Sequence, residues 1–350
     1  MDLFSPVTLG ELELSNRIIM SPLTRCRAGD SRIPNDLMVE YYKQRASAGL
    51  IITEATSVSP MGVGYPGTPG IWSDAMISGW RNVTAAVHKA GGRIVLQLWH
   101  VGRISDPIYL NGELPIAPSA IRPKGHVSLV RPKKEFVTPR ALSTEEIPGI
   151  IEQYRQGALN AKKAGFDGVE IHGANGYLLD QFLQDSTNKR TDEYGGSVEN
   201  RAKLHLEVTK AVLSEWPKGR VGMHLAPRGD AHDMGDSDLR ATFLYLVKEL
   251  GKLDIAFICA REHLGEDRIG PQLKRAFGGK YIANENFDFD SGTQAVVSEE
   301  ADAVAYGKLF IANPDLPRRF REGLALHPPR PELFYGDGAE GYTDYPFAPK

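Results

Sequence analysis

The chain has 350 residues, of which 41% are hydrophobic and 24% charged, and its formal net charge is −3. Those proportions suit a globular protein with a large buried core, and the balance of charge leaves no broad basic surface for nucleic acid or an anionic membrane. Cys26 and Cys259 are the only cysteines and share no motif spacing, which argues against a disulfide scaffold or a zinc site and suits a reducing compartment. The first residues carry no basic or apolar leader pattern, and no apolar run is long enough to span a bilayer. The expectation is a cytoplasmic protein.

Residues 3–16 alternate weakly around Gly10, which predicts a small hairpin. The first strand of the main body is 17–20, ended by Ser21-Pro22. A helix begins at Pro34-Asn-Asp36 and Gly49 stops it. Strand two is 50–56, and a Gly/Pro-rich loop and a helix over 73–90 lead to strand three, 93–98. The stretch 101–142 is the least regular, and a loop of that length in a compact domain is usually functional. It ends at Ser143-Thr-Glu-Glu146, a capping box, with a helix to Ala164. Strand four is Gly168-Val-Glu-Ile-His172. A second long loop precedes a helix over 198–216, then strand five, 221–225. Ser237-Asp238 caps a helix to Leu250; strand six is 254–259, and a short helix covers 272–277. Strand seven is 280–283, a helix lies near 293–300, strand eight is 303–306, and the last helix runs from Pro317 to Gly323.

Eight strands alternating with helices predict parallel βαβ units. At this chain length they favour an α/β fold of one kind: a single (β/α)8 TIM barrel with an N-terminal hairpin and long loops after strands three and four. There is no G-x-G-x-x-G after strand one to support an open dinucleotide-binding sheet. No shift in composition marks a second domain, so 1–350 is expected to be one domain.

Active sites of such barrels lie at the carboxyl ends of the strands. The polar residues found there are Thr24, Glu54 to Thr56, Gln97 and His100, Glu170, His172 and Asn175, His224 and Arg228, Asn284-Glu-Asn286, and Gly307-Lys308. Alternation along each strand turns Glu170 and His172 into the barrel, with Val169 and Ile171 toward the helices. It likewise places Gln97, Trp99 and His224 inside. No metal site is expected: His172 has no partner at ligand spacing, and His224, His232 and Asp233 follow no known pattern. Gly307-Lys308 suits a phosphate bound on backbone amides beside a cation, but equally a surface lysine. Without a functional role, Tyr177 is a loop aromatic packed on Leu178.

With these residues in view, the chain resembles the Old Yellow Enzyme family of flavin-dependent ene-reductases. The matching blocks are Pro22-Leu-Thr-Arg25, Tyr41-Tyr-Lys-Gln-Arg-Ala-Ser-Ala-Gly49, Gln97-Leu-Trp-His-Val-Gly-Arg103, Glu170-Ile-His-Gly-Ala-Asn-Gly-Tyr-Leu-Leu179, Gln181-Phe-Leu183, Asn188-Lys-Arg-Thr-Asp192, Tyr194-Gly-Gly-Ser-Val-Glu-Asn-Arg201, Ile311-Ala-Asn-Pro-Asp315 and Gly341-Tyr-Thr-Asp-Tyr-Pro346. They run in order along nearly the whole chain. The blocks Met223-His-Leu-Ala-Pro-Arg-Gly229 and Ile282-Ala-Asn-Glu-Asn-Phe287 place it nearest the bacterial cyclohexenone-reductase subgroup.

The resemblance implies non-covalent FMN, NADH or NADPH as reductant, and an activated alkene (enone, enal, nitroalkene or maleimide) as substrate, in a monomer or homodimer. It implies that Thr24 bonds the flavin O4, that Pro22, Leu23 and Ala55 line the ring edge, and that Gln97 holds the pyrimidine end. Asn284, Glu285, Asn286, Gly307 and Lys308 would surround the phosphate. His172 and Asn175 would grip the substrate oxygen, Tyr177 would give the proton, and Tyr65, Trp99 and Tyr335 would shape the pocket. Two positions depart from the family: His224 and Lys308 each stand where many relatives have Arg. Either His224 is protonated when the flavin is reduced, or Arg228 supplies the charge. Two rival readings are a barrel glycosidase using Glu170 and Glu285, and a flavin-binding barrel without catalysis.

Overall fold

The computed structural model describes residues 2–229 and 231–349. Its central strands are short apolar runs buried on both faces. That is the pattern of a parallel sheet lined on one side by its own interior and on the other by helices.

A hairpin comes first, β1 (Val7–Leu9) and β2 (Leu12–Leu14), followed by β3 (Ile18–Met20), α1 (Asp36–Gln44), β4 (Leu50–Ile52) and β5 (Thr56–Ser57). Next come α2 (Asp74–Lys89), β6 (Ile94–Trp99), the short pair β7 (Ile116–Ala117) and β8 (Arg140–Ala141), α3 (Ile147–Lys163), β9 (Gly168–Gly173), α4 (Leu178–Leu183) and α5 (Val198–Leu213). The second half holds β10 (Val221–Leu225), α6 (Leu239–Lys252), β11 (Phe257–Arg261), α7 (Gly270–Phe277), β12 (Lys280–Asn284), α8 (Phe289–Val297), β13 (Ala303–Tyr306), α9 (Lys308–Ala312) and α10 (Leu316–Glu322). Strands β3, β4, β6 and β9 to β13 pair in parallel, and the β4–β6 pairing closes them into an eight-stranded barrel. This is the (β/α)8 barrel read from the sequence.

Alternation sorts the core into two layers. Ile19, Leu50, Ile52, Val95, Phe257, Cys259, Ile282, Ala303 and Ala305 pack inside the barrel, and Val7, Leu9, Leu12 and Leu14 of the hairpin join the same cluster as its floor. Val169, Ile171, Val221, Met223 and Leu225 belong to the outer cluster shared with the helices. Gly10 lets the hairpin seat: its φ is +60°, and a Cβ there would lie 2.5 Å from the carbonyl oxygen of Gly219. The floor is therefore sealed, and only the opposite end of the barrel is open for a site.

Three expectations need correction. Strand two is not continuous over 50–56: it breaks after Ile52 because the Glu54 amide leaves the ladder and donates to the Tyr42 hydroxyl at 2.9 Å. Helix α8 starts at Phe289 rather than near 293, since the Asp288 carboxylate caps it by accepting from the Ser291 amide at 2.8 Å. Strand six reaches Arg261, two residues past its expected end. The hairpin stands as expected, and the Glu146 carboxylate accepts from the Ser143 amide at 2.8 Å as the capping box requires. Among the described residues, no helix is long and apolar enough to cross a membrane.

Candidate active site

The carboxyl ends of the barrel strands open into one cavity of about 700 Å³. Ligand and cofactor pockets fall in this size range, about 300–1,000 Å³. Pro22, Leu23 and Thr24 reach it from beyond β3, Ala55 from between β4 and β5, and Gln97 and Trp99 from β6. His172, Asn175 and Tyr177 come from β9 and its loop, and His224 from β10. Asn284, Glu285 and Asn286 follow from β12, Gly307 and Lys308 from beyond β13, Tyr65 from the loop after β5, and Tyr335 from the tail. The structure thus gathers on one cavity every residue to which the family resemblance gives a cofactor, substrate or pocket role, with the exception of Arg228, whereas Glu54, Thr56, His100 and Glu170, also singled out at strand ends, do not line it.

His172 is a neutral donor. Burial, with His224 nearby, pushes its pKa well below the ordinary histidine value. Its Nδ1 accepts the Ala174 amide at 3.3 Å, which leaves Nε2 to carry the proton. The two histidine rings lie 5.7 Å apart. Asn175, three residues on, takes a left-handed backbone with φ +57°, a conformation asparagine tolerates better than most residues. Its carbonyl oxygen lies 2.6 Å from Nδ1 of His232, and its Oδ1 accepts from Nη1 of Arg261 at 2.9 Å.

Tyr177 is not packed on Leu178 as a simple loop aromatic. Its ring stands edge-on to Trp99 and His172, with centroids 5.0 and 5.1 Å away, and beside His232. Its hydroxyl lies 2.7 Å from that of Tyr65. Burial raises the Tyr177 pKa well above the ordinary phenol value, so the ring keeps its proton. The backbone between Asn175 and Tyr177 is held by Asp180, whose carboxylate accepts from the Gly176 amide at 2.8 Å.

Below this layer sits Glu170, fully buried. Gln97 donates to it through Nε2 at 2.7 Å, and His224 Nδ1 approaches the same carboxylate oxygen at 3.5 Å. Glu170, His224 and Cys259 each bring one atom within 4.8 Å of the others. Burial pushes the Cys259 thiol pKa well above its ordinary value. Glu170 has no route to a substrate in the cavity, and the glycosidase reading fails with it.

At the far end, Asn284 donates through Nδ2 to Ser21 Oγ at 2.7 Å and to the Ala305 carbonyl at 3.0 Å, tying β12 to its neighbours. Glu285 and Asn286 turn the chain with φ of +95° and +60°. The carboxylate of Glu285 is taken by Arg261 Nη2 at 2.8 Å. Lys308 is exposed at the start of α9.

Arg228 does not contribute. It pairs with Glu262 and Asp267 and donates to the His263 carbonyl, away from the cavity lining. Besides Lys308, a second cation lines the cavity, Arg261. Ending strand six two residues early hid it; carried on, the alternation Phe257, Cys259, Arg261 turns it inward. Phe334 and Pro329 also line the cavity. The tail that bears them is anchored by Arg25 and Arg27, which donate to the Phe334 carbonyl at 2.9 and 2.8 Å.

Fold and site together define a (β/α)8 barrel with a cofactor-sized cavity at its carboxyl end, furnished with neutral hydrogen-bond donors, a protonated phenol and two cations. Residues 2–327 match the family described as NADH:flavin oxidoreductase / NADH oxidase. The chain is 44% identical to 12-oxophytodienoate reductase 1 of Oryza sativa subsp. japonica over 362 residues, covering 99% of this chain and 93% of that protein. Among solved structures, it superposes on the old yellow enzyme homologue from Zymomonas mobilis with a TM-score of 0.96 at 44% identity, covering 99% of each chain. It superposes on morphinone reductase in complex with tetrahydroNAD with a TM-score of 0.96 at 48% identity, covering 100% of this chain and 98% of that one. The chain belongs to this flavin oxidoreductase family, the Old Yellow Enzyme family. It is accordingly an FMN-dependent oxidoreductase with a nicotinamide nucleotide as reductant.

Proposed function

We propose that this enzyme reduces the C=C bond of activated alkenes: enones, enals, nitroalkenes and maleimides. The observation that carries this reading is the layer His172–Asn175–Tyr177. Two side chains with fixed donor ends and one protonated phenol share one wall of the cavity, with Trp99 and Tyr65 beside them.

The lining suits FMN. Leu23, Pro22 and Ala55 offer apolar surface, Thr24 a hydroxyl, and Gln97 an acceptor, because its Nε2 is already engaged by Glu170. Lys308, Gly307, Asn284 and Asn286 give a polar and cationic end for the phosphate, with Glu285 among them by its backbone. FMN, when bound, carries hydride from NADH or NADPH to the β-carbon of the alkene. The protein's own part is electrostatic and acidic. His172 and Asn175 donate to the carbonyl or nitro oxygen, where negative charge grows as the bond is reduced. Tyr177 protonates the α-carbon. Trp99, Tyr65 and Tyr335 hold the alkene over that layer and exclude water. One barrel domain, 1–350, houses all of this.

The test is optical. Purified protein should be yellow, should bleach anaerobically on addition of NADH or NADPH, and should regain its colour with 2-cyclohexenone. Protein that bleaches but is not reoxidised by any enone, enal, nitroalkene or maleimide would defeat the alkene reading while leaving the flavin chemistry intact.

A further inference from the structure

We propose that Arg261 is a positioning residue for this reduction: it fixes the Asn175 amide so that Nδ2, not Oδ1, faces the substrate oxygen. The proposal rests on the reading of Asn175 as a donor to that oxygen.

The two ends of an asparagine amide are nearly the same size and opposite in character. Turned the wrong way, Asn175 would set its own oxygen against the growing negative charge and repel it. Shape cannot prevent this, but a partner can. A guanidinium only donates, so the 2.9 Å bond from Arg261 Nη1 must consume Oδ1. Nδ2 is then the end that remains.

Arg261 is itself restrained. Its Nη2 donates to Glu285 Oε1 at 2.8 Å, and its side chain is 36% exposed toward the cavity. Glu285 sits at a backbone φ of +95°, which a glutamate adopts only where its surroundings impose it. The carboxylate also offsets the guanidinium charge, so Arg261 is suited to orienting a neutral amide rather than capturing an anion. The backbone of Asn175 is pinned separately: His232 Nδ1 meets its carbonyl at 2.6 Å, and Arg103 Nη2 donates to the His232 carbonyl at 3.0 Å. With the backbone fixed from one side and the amide from the other, Glu285–Arg261–Asn175 forms a brace across the ends of β12, β11 and β9.

The experiment is a double-mutant cycle on the FMN-loaded enzyme with 2-cyclohexenone. Arg261→Met keeps the length and removes every donor; Arg261→Lys keeps a donor-only cation. Arg261→Met should lower kcat about tenfold or more, up to the ~10²–10³-fold loss that removing one oxyanion donor outright would cause. KM should move little, because the oxygen's charge develops in the transition state. Arg261→Lys should restore a large part of the loss. In an Asn175→Ala background, Arg261→Met should change kcat by less than about twofold, because nothing is left to orient. Glu285→Gln, which loosens the brace without touching Arg261 or Asn175, should give a smaller loss that vanishes in the same background. Equal losses with and without Asn175 would overturn the proposal, as would an unchanged kcat in Arg261→Met. If Asn175→Ala alone is silent while the wild type reduces cyclohexenone, the donor role of Asn175 fails and this proposal with it. A wild type inert toward every activated alkene would fail the functional reading first.

Discussion

Replacing Tyr177 with phenylalanine separates structure from chemistry, because the two costs differ by orders of magnitude. The ring contacts with Trp99, His172 and His232 remain, so packing is kept. What is lost is one hydroxyl and its 2.7 Å bond to Tyr65. Such a bond contributes about 1 kcal/mol net, and Tyr65 still faces the cavity and can bond to water. In a protein of this size that is a melting shift of about 2 °C or less. The proton it supplies is worth far more: a positioned general acid contributes about 10²–10⁴-fold. Stopped-flow measurement should therefore show cyclohexenone reduction slowed by about 10²-fold or more. Bleaching by NAD(P)H, which needs no proton from Tyr177, should stay within about twofold. In the wild type, burial keeps the phenol protonated beyond its ordinary range and keeps His172 neutral below its own. Neither group should then put a limb on the reoxidation rate between about pH 7 and 9, bracketed by their ordinary values. Equal slowing of both half-reactions in Tyr177→Phe, or no slowing of reoxidation, would refute the assignment.

Other perturbations test the cofactor end and the scaffold. Lys308→Arg should hold FMN more tightly, because a guanidinium grips phosphate with two donors where an ammonium offers a point charge. Lys308→Ala should weaken it about tenfold; equal FMN dissociation in all three proteins would remove Lys308 from the phosphate site. His224→Ala should lower the two-electron potential of bound flavin by roughly 30 mV or more, the equivalent of about 1.4 kcal/mol, if His224 is the charge that meets the reduced ring. An unchanged potential in a redox-dye titration would discard that role; Arg228, paired with Glu262 and Asp267, does not line the cavity. Burial raises the Asp180 pKa from 3.8 to about 7. The folded state therefore holds a proton that the unfolded state has released between those values. Its stabilising contribution is complete below about pH 4 and is lost as pH rises through about 7, up to about 4 kcal/mol in all. Asp180→Asn should flatten the melting temperature across that window; a profile identical to wild type would contradict the shift.

Much of the barrel was legible because its strands are short apolar runs bounded by Gly, Pro or charged residues. Val221–Leu225 and Ala303–Tyr306 have the ends expected of them. Period-two alternation was enough to turn Gln97, His172 and His224 into one lumen. What stayed hidden depends on partners distant in sequence. The Glu54 amide leaves its ladder for a tyrosine on α1, and the tail reaches the cavity because two arginines beyond β3 hold its carbonyls. Helices α4 and α9 begin at Tyr177 and Gly307 with no side-chain cap, so no start signal announces them. Arg261 was within reach of the same alternation, and only the placing of a strand end concealed it.

Residue identity alone does not give this site its chemistry, since three of its groups can present either a donor or an acceptor. In each, one end is consumed from behind. The Ala174 amide takes His172 Nδ1, Glu170 takes Gln97 Nε2, and Arg261 takes Asn175 Oδ1. What remains toward the cavity is an N–H, a carbonyl oxygen and an N–H, in that order. The first and third are what a growing oxyanion needs, and the second is what a ring N–H needs. Two of these backing groups, Glu170 and Arg261, touch no reacting atom in this scheme, yet each decides the sign of the interaction made by the residue in front of it. That is a reason for a barrel to keep a fully buried carboxylate under its site despite the cost of desolvating it. Glu170 acts as an orienting partner for Gln97, and His224 Nδ1 lies 3.5 Å from the same carboxylate oxygen.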